Sequence, residues 1–154
     1  MAKSGGSQAV ITGRDLEAFI EQRLHVCHYK LVKSADFDTL RGLEQPIYAK
    51  QHQVDPDIYA KKRRVDFIIY HPDKWPDSLV IEAKWQQSRG SVEEKYPFLV
   101  ACINESRYES LVILDGDGYT PGAEKWLRGQ AGKGRLKNVL NMVELMKFAN
   151  GGKL

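Results

Sequence analysis

Cysteine is scarce in this chain: two residues in 154, Cys27 and Cys102, at no paired spacing. A secreted disulfide scaffold is therefore excluded. Long apolar runs are also missing, since none approaches the ~20 residues a membrane span needs. The opening MAKSGGSQ has neither an apolar nor an amphipathic leader, so a cytoplasmic chain is expected. Charge of one sign is weak. A formal +3 and a pI near 8.8 do not establish a nucleic-acid partner by themselves, and the placement of the charges has to carry that argument. Internal repeats, low-complexity tracts, a helix-turn-helix and a zinc finger are all absent. The stretch GQAGKG from Gly129 lacks the spacing and hydroxyl residue of a phosphate loop.

What remains is ordinary globular material, 42% hydrophobic against 28% charged, of a length that suits one domain over residues 13–150 behind a flexible lead of residues 1–12. After Gly13, Asp15 is placed to cap a helix DLEAFIEQRL, in which Leu16, Phe19, Ile20 and Leu24 recur at helical spacing. Residues 27–60 read as a short strand CHYKLV, a turn or short helix ADFDTLRGLEQ and an extended PIYAKQHQ. VDFIIYH and SLVIEAKWQ read as a hairpin around HPDKWPD, whose prolines and aspartates favour a turn. A helix SVEEKYPFLVACINESR follows, with Ser91 and Glu94 as a capping box and Pro97 kinking it or delaying its start. SLVILDGDG reads as a buried strand, PGAEKWLRG as a short helix and LKNVLNMVELMKFA as a second amphipathic one. This order predicts a small α/β sandwich: a central mixed β-sheet flanked by helices.

The most strand-like stretch, LVIEAKWQQ, contains both a carboxylate and an ammonium. Strand alternation puts Leu79, Ile81, Ala83 and Trp85 on one face, and Val80, Glu82, Lys84 and Gln86 on the other. On the neighbouring strand Asp66, Ile68 and Tyr70 share a face, so the hairpin can set Asp66 beside Glu82. Two carboxylates and an ammonium suit metal-assisted phosphodiester hydrolysis. Mg²⁺ prefers oxygen ligands and keeps several waters, offsets charge on the scissile phosphate and acidifies bound water, while a lysine orients that water.

Asp66, followed fifteen residues later by Glu82-Ala83-Lys84, resembles the signature of the PD-(D/E)XK nuclease superfamily, which includes restriction enzymes and resolvases. The resemblance implies a restriction-endonuclease-like sandwich and a DNA endonuclease using Mg²⁺, with Mn²⁺ able to substitute. Asp66 and Glu82 would bind the metal, and Lys84 would serve the water. Gln86 matches a glutamine that some members place two residues after the lysine. Glu17 resembles the acidic residue many members carry on the first helix, with Glu21 the competing choice. The first motif reads Val65-Asp66 rather than Pro-Asp, a departure that makes it less specific.

The unbroken run Lys61, Lys62, Arg63 and Arg64 stands just before Asp66 and is expected to track phosphates, extended by Arg89, Lys95, Lys133 and Arg135. His25-Val26-Cys27-His28 has no second cluster to complete a zinc site. Asp115-Gly-Asp-Gly lacks the later ligands of a calcium loop and reads as a turn. Trp75, Trp85 and Trp126 read as packing residues, with Trp75 in its turn the best placed to meet a base. One active site makes one nick, so cutting both strands implies a dimer or larger assembly. The rival expectation is a non-catalytic nucleic-acid-binding module that retains the fold.

Overall fold

The computed structural model describes residues 12–87 and 91–154. Helix α1 (Gly13–Val26) starts one turn earlier than its apolar stripe suggests, because Thr12 rather than Asp15 is the N-cap. Asp15 occupies the third helical position and accepts from the Thr12 backbone N–H at 2.6 Å, completing a capping box. Thr12 therefore belongs to the fold rather than to a lead, and residues 1–11 lie outside the described residues.

A strand β1 of only two residues (Lys30–Leu31) and a short helix α2 (Ser34–Leu40) precede β2 (Ile47–Val54), β3 (Arg63–His71) and β4 (Trp75–Trp85). A single 3₁₀ turn (Ser91–Glu94) leads into α3 (Lys95–Glu105), so Pro97 falls in the first turn of the α-helix, where its missing N–H costs nothing. Glu94, not Ser91, precedes this helix and gives no side-chain cap; the Ser91 side chain lies outside the described residues. Strand β5 (Glu109–Asp115), helix α4 (Pro121–Gly129), strand β6 (Leu136–Leu140) and helix α5 (Met142–Asn150) complete the order. The single helix expected over LKNVLNMVELMKFA is thus a strand and a helix. Asn141 divides them, its side chain accepting from the Glu144 N–H while Glu144 accepts from Asn141. Leu136, Val139 and Leu140 are buried by pairing beside β5 instead of by helical packing.

The six strands form one mixed sheet in sequence order, with β1/β2, β4/β5 and β5/β6 parallel and β2/β3 and β3/β4 antiparallel. The tight β3–β4 turn dictates antiparallel pairing, whereas the helices after β4 and β5 act as crossovers that make their strands parallel. On one face Leu16, Ile20 and Leu24 of α1 and Leu145 of α5 pack on Phe67, Ile69, Leu79, Ile81, Leu111 and Ile113. On the other, Phe37 of α2 covers Ile47, Ile68 and Val80, and Tyr96, Leu99 and Ile103 of α3 cover Val112 and Leu114. Helices lie on both faces, as expected. Trp75 is half-buried as the first residue of β4, and its indole donates to the Lys153 carbonyl at 3.2 Å, so it packs rather than meets a base. No described helix is long and apolar enough to cross a membrane.

One irregularity governs the site. The β2/β3 ladder pairs Lys50 with Phe67 and His52 with Val65, and between these pairs stand Gln51 and Asp66. Gln51 has φ +49°, in the left-handed region that side chains rarely adopt. Across this point both strands exchange faces: Val54 and Val65 share a cluster with Ala49 and Ile68, which strict alternation would put on the opposite side.

Candidate active site

Strand β4 delivers Glu82 and Lys84 to the same side of the sheet, as alternation requires. Glu82 is 4% exposed. Its two oxygens meet two cations: Arg63 Nη2 lies 3.0 Å from Oε1, and Lys84 Nζ lies 3.8 Å from Oε2. Asp66 stands where β3 and β4 separate, just past the Phe67–Ile81 pair. Its Oδ2 accepts from the Ala83 backbone N–H at 2.8 Å, replacing a ladder bond, and its Oδ1 accepts from the Gln51 amide at 3.4 Å. A carboxylate inserted between strands is thereby fixed from both sides.

Burial pushes the Glu82 carboxyl up to about 7; Lys84 and Arg63 pull it down, while the neighbouring Asp66 pushes it further up. Glu17, half-buried on α1, is raised too, by burial first and then by the Asp66 charge, with Lys50 and Lys84 opposing. Asp66 therefore lies close to both glutamates. Glu21 is held elsewhere, in an ion pair with Lys50 at 3.0 Å and beside the Tyr48 hydroxyl. Of the two candidate glutamates on α1, Glu17 is the one that faces Asp66.

A cleft of about 890 Å³ opens over Glu82 and Lys84, walled by Lys62, Arg63 and Arg64 on one side and by Lys95, Phe98 and Leu99 of α3 on the other. Four of the expected cationic residues, Lys62, Arg63, Arg64 and Lys95, thus converge with two of the expected catalytic ones. Lys61 is exposed but does not line the cleft, and Arg89 lies outside the described residues. Asp66 and Glu17 do not line it either; Asp66 stands beside Glu82, and Glu17 beside Asp66. Gln86 is buried: its amide donates to the Gly118 carbonyl at 3.2 Å and to Glu93 at 3.5 Å, and the Tyr96 hydroxyl donates to its Oε1. It ties the end of β4 to α3 and to the turn after β5, and it is not among the residues lining the cleft.

Sequence reasoning missed Gln51 and the inward pairing of Arg63. Alternation sets Arg63 on the face opposite to Asp66, and only the exchange of faces turns it toward Glu82. A trace of that exchange is visible in β2, where the exposed pair Lys50 and Gln51 separates the buried run of Ile47, Tyr48 and Ala49 from the alternation of His52, Gln53 and Val54.

Among the described residues no three His, Cys, Asp or Glu side chains form a preformed metal cage. His25 bonds the Tyr48 hydroxyl at 2.6 Å instead of joining a ligand cluster. Mg²⁺ does not require a cage, since one or two carboxylates with waters and a substrate phosphate suffice. The all-oxygen set of Asp66 and Glu82 fits it. Burial is the main reason Glu82 is raised, with the Asp66 charge adding to it, and a divalent cation between the two carboxylates would relieve both.

The model of the PD-(D/E)XK nuclease superfamily domain matches residues 8–153. No curated relative and no solved structure matches the chain. That superfamily's activity is of nuclease type, directed at nucleic acid and generally served by divalent metals. A match of this extent, over a mixed sheet with helices on both faces, places the chain in the PD-(D/E)XK nuclease superfamily.

Proposed function

We propose that this protein is a Mg²⁺-dependent DNA endonuclease. The observation that carries the reading is the convergence of Glu82 and Lys84, with Asp66 behind them, at the wall of a cleft whose rim carries Lys62, Arg64 and Lys95. Asp66 and Glu82 would hold the metal, which when bound supplies charge to offset the scissile phosphate and acidifies water. Mn²⁺ would substitute for it. Lys84, 36% exposed and tethered to Glu82, is free to turn its ammonium toward an attacking water or a phosphate oxygen. Glu17 keeps a second carboxylate beside Asp66 and is placed to take up a proton there. Gln86 positions the end of β4, and with it Lys84 two residues earlier. The basic rim, with Lys61 and Arg89 as further phosphate contacts, draws the DNA backbone in. Cutting both strands would call for two copies of the chain related by a two-fold axis. Two unpaired cysteines fit a reducing, cytoplasmic setting.

One observation favours a second reading, a non-catalytic DNA-binding module: Arg63 already occupies Oε1 of Glu82. Incubation with supercoiled plasmid and branched DNA in Mg²⁺ decides between them. The nuclease reading expects nicking that drops at least about 10²-fold in Lys84→Ala and Glu82→Gln variants that remain folded. Salt-dependent binding without cleavage, equal in Mg²⁺ and in EDTA, would establish the second reading instead.

A further inference from the structure

At the rim of the cleft, Tyr59 stacks on Phe98 with ring centroids 5.5 Å apart and planes 21° from parallel. Phe98 lines the cleft, and Tyr59 projects from the β2–β3 connection beside it. Both rings are left to solvent, Tyr59 at 68% and Phe98 at 37% exposure. Single exposed apolar residues are common, but a paired aromatic surface beside a cationic cleft is not explained by chance exposure.

The connection that carries Tyr59 is held in one conformation. Asp57 Oδ1 accepts from the backbone N–H of Tyr59 at 2.8 Å and of Lys61 at 2.9 Å, and the Asp57 N–H donates to the Lys61 carbonyl at 2.9 Å. Ala60 is driven to φ +60°, a strained conformation for a residue with a Cβ. At the base of the loop Arg107 meets Asp55 at 3.3 Å. Strain of this kind persists where the surroundings over-determine it, and here it fixes the ring outward. Lys95 and Phe98, three apart on α3, share one side of that helix, so an ammonium and a ring face the cleft together.

We propose that Tyr59, backed by Phe98, is a stacking platform for an unpaired base, and that the nucleic acid taken by this cleft carries a single-stranded segment beside the point of cleavage. The proposal rests on the nuclease reading and names its substrate class. A base inside a duplex has both faces covered by its neighbours, whereas an unstacked base offers a face to an aromatic ring. Lys62, Arg64 and Lys95 supply cations for the phosphates on either side of that base. Phe98 covers one face of the Tyr59 ring and leaves the other free for stacking.

The test is fluorescence anisotropy of the full chain in EDTA, with a labelled single-stranded oligonucleotide, a blunt duplex and a duplex bearing a single-stranded tail. Single-stranded and tailed forms should bind more tightly than the blunt duplex. Tyr59→Ala should weaken both by about tenfold while changing duplex binding by no more than about twofold, the usual weight of one stacked base. Tyr59→Trp should retain the affinity and show quenching of the new indole on binding. Equal losses on all three forms, or none, overturn the platform. So does a change in oligomeric state of Tyr59→Ala by sedimentation, which would assign the rings to a contact between copies. Wild-type cleavage in Mg²⁺ is scored separately: if it persists while the platform tests fail, only the platform is lost, and if cleavage and binding are both absent, the nuclease reading falls with it.

Discussion

Arg63 and Glu82 form a buried ion pair across the opening strands of the site, 3.0 Å apart with side-chain exposures of 10% and 6%. Removing one member of such a pair leaves a charge with too little solvation. Arg63→Met should therefore destabilise the chain by up to about 3 kcal/mol well above pH 7, where Glu82 is ionised, and by much less at pH 7, where Glu82 takes up a proton instead. Urea unfolding measures it. The double variant Arg63→Met/Glu82→Leu should recover most of the loss, and failure to recover would show that Arg63 acts through packing of its stem rather than through charge.

The raised Glu82 fixes the sign of a pH dependence. Its carboxyl titrates near 4.5 when unfolded and about 7 when folded, so between these values the native state holds a proton that the unfolded chain has released. Stability from this group is complete below pH 4.5 and falls as pH rises to about 7. Glu17, raised in the same direction, adds to the slope. Wild type should lose up to about 3 kcal/mol relative to Glu82→Gln over that window. Metal binding runs the other way, because ligands must be ionised. Thermal stabilisation by Mg²⁺ should weaken below pH 7, by up to about tenfold in apparent affinity per pH unit. A stability difference that stays flat with pH would mean that Glu82 is not the group titrating.

Helix α1 was legible because Leu16, Ile20 and Leu24 form a regular buried stripe, and β2, β3, β4 and β5 because each carries a run of consecutive buried apolar residues. The acid pair with its lysine was legible because β4 keeps strict alternation as far as Trp85. Strand β6 was hidden, since Leu136, Val139 and Leu140 fit a helical stripe as well as a strand, and only the Asn141–Glu144 capping box separates them. The Arg63–Glu82 pair was hidden for a different reason. Alternation presumes an unbroken pleat, and the left-handed Gln51 opposite Asp66 turns both strands over. Tyr59 and Phe98 lie 39 residues apart by number and meet only through the tertiary fold.

Gln51 carries backbone strain and offers its amide to Asp66 at 3.4 Å. Glycine adopts φ +49° without steric cost, so Gln51→Gly should hold or raise stability by up to about 1 kcal/mol, the relief being offset in part by chain entropy. Mg²⁺ affinity should fall in the same variant, because Asp66 loses the donor that orients its Oδ1. Calorimetric titration with Mg²⁺ beside thermal unfolding separates the two effects. A variant that is less stable and binds metal unchanged would assign Gln51 to the fold alone.

Gly116 sits at φ +109° in the turn after β5, and a Cβ there would overlap the Gln86 carbonyl oxygen and meet its carbon at 2.8 Å. Both are backbone atoms, so the end of β4 has to move. That end is held by the Gln86 N–H to Asp115 at 3.0 Å and the Gly118 N–H to Gln86 at 2.8 Å, bonds that cannot both survive the shift. Gly116→Ala should cost about 3 kcal/mol or more, from strain at positive φ and the clash together. Gly122 is the control: on α4 nothing lies within 4 Å of its added Cβ, and Gly122→Ala should be neutral or stabilising by up to about 1 kcal/mol. Lys84 stands two residues before Gln86, so the alanine at 116 should also lower cleavage when assayed well below its unfolding midpoint. Full activity in a folded Gly116→Ala protein would show that the position of Lys84 does not depend on how the end of its strand is tied down.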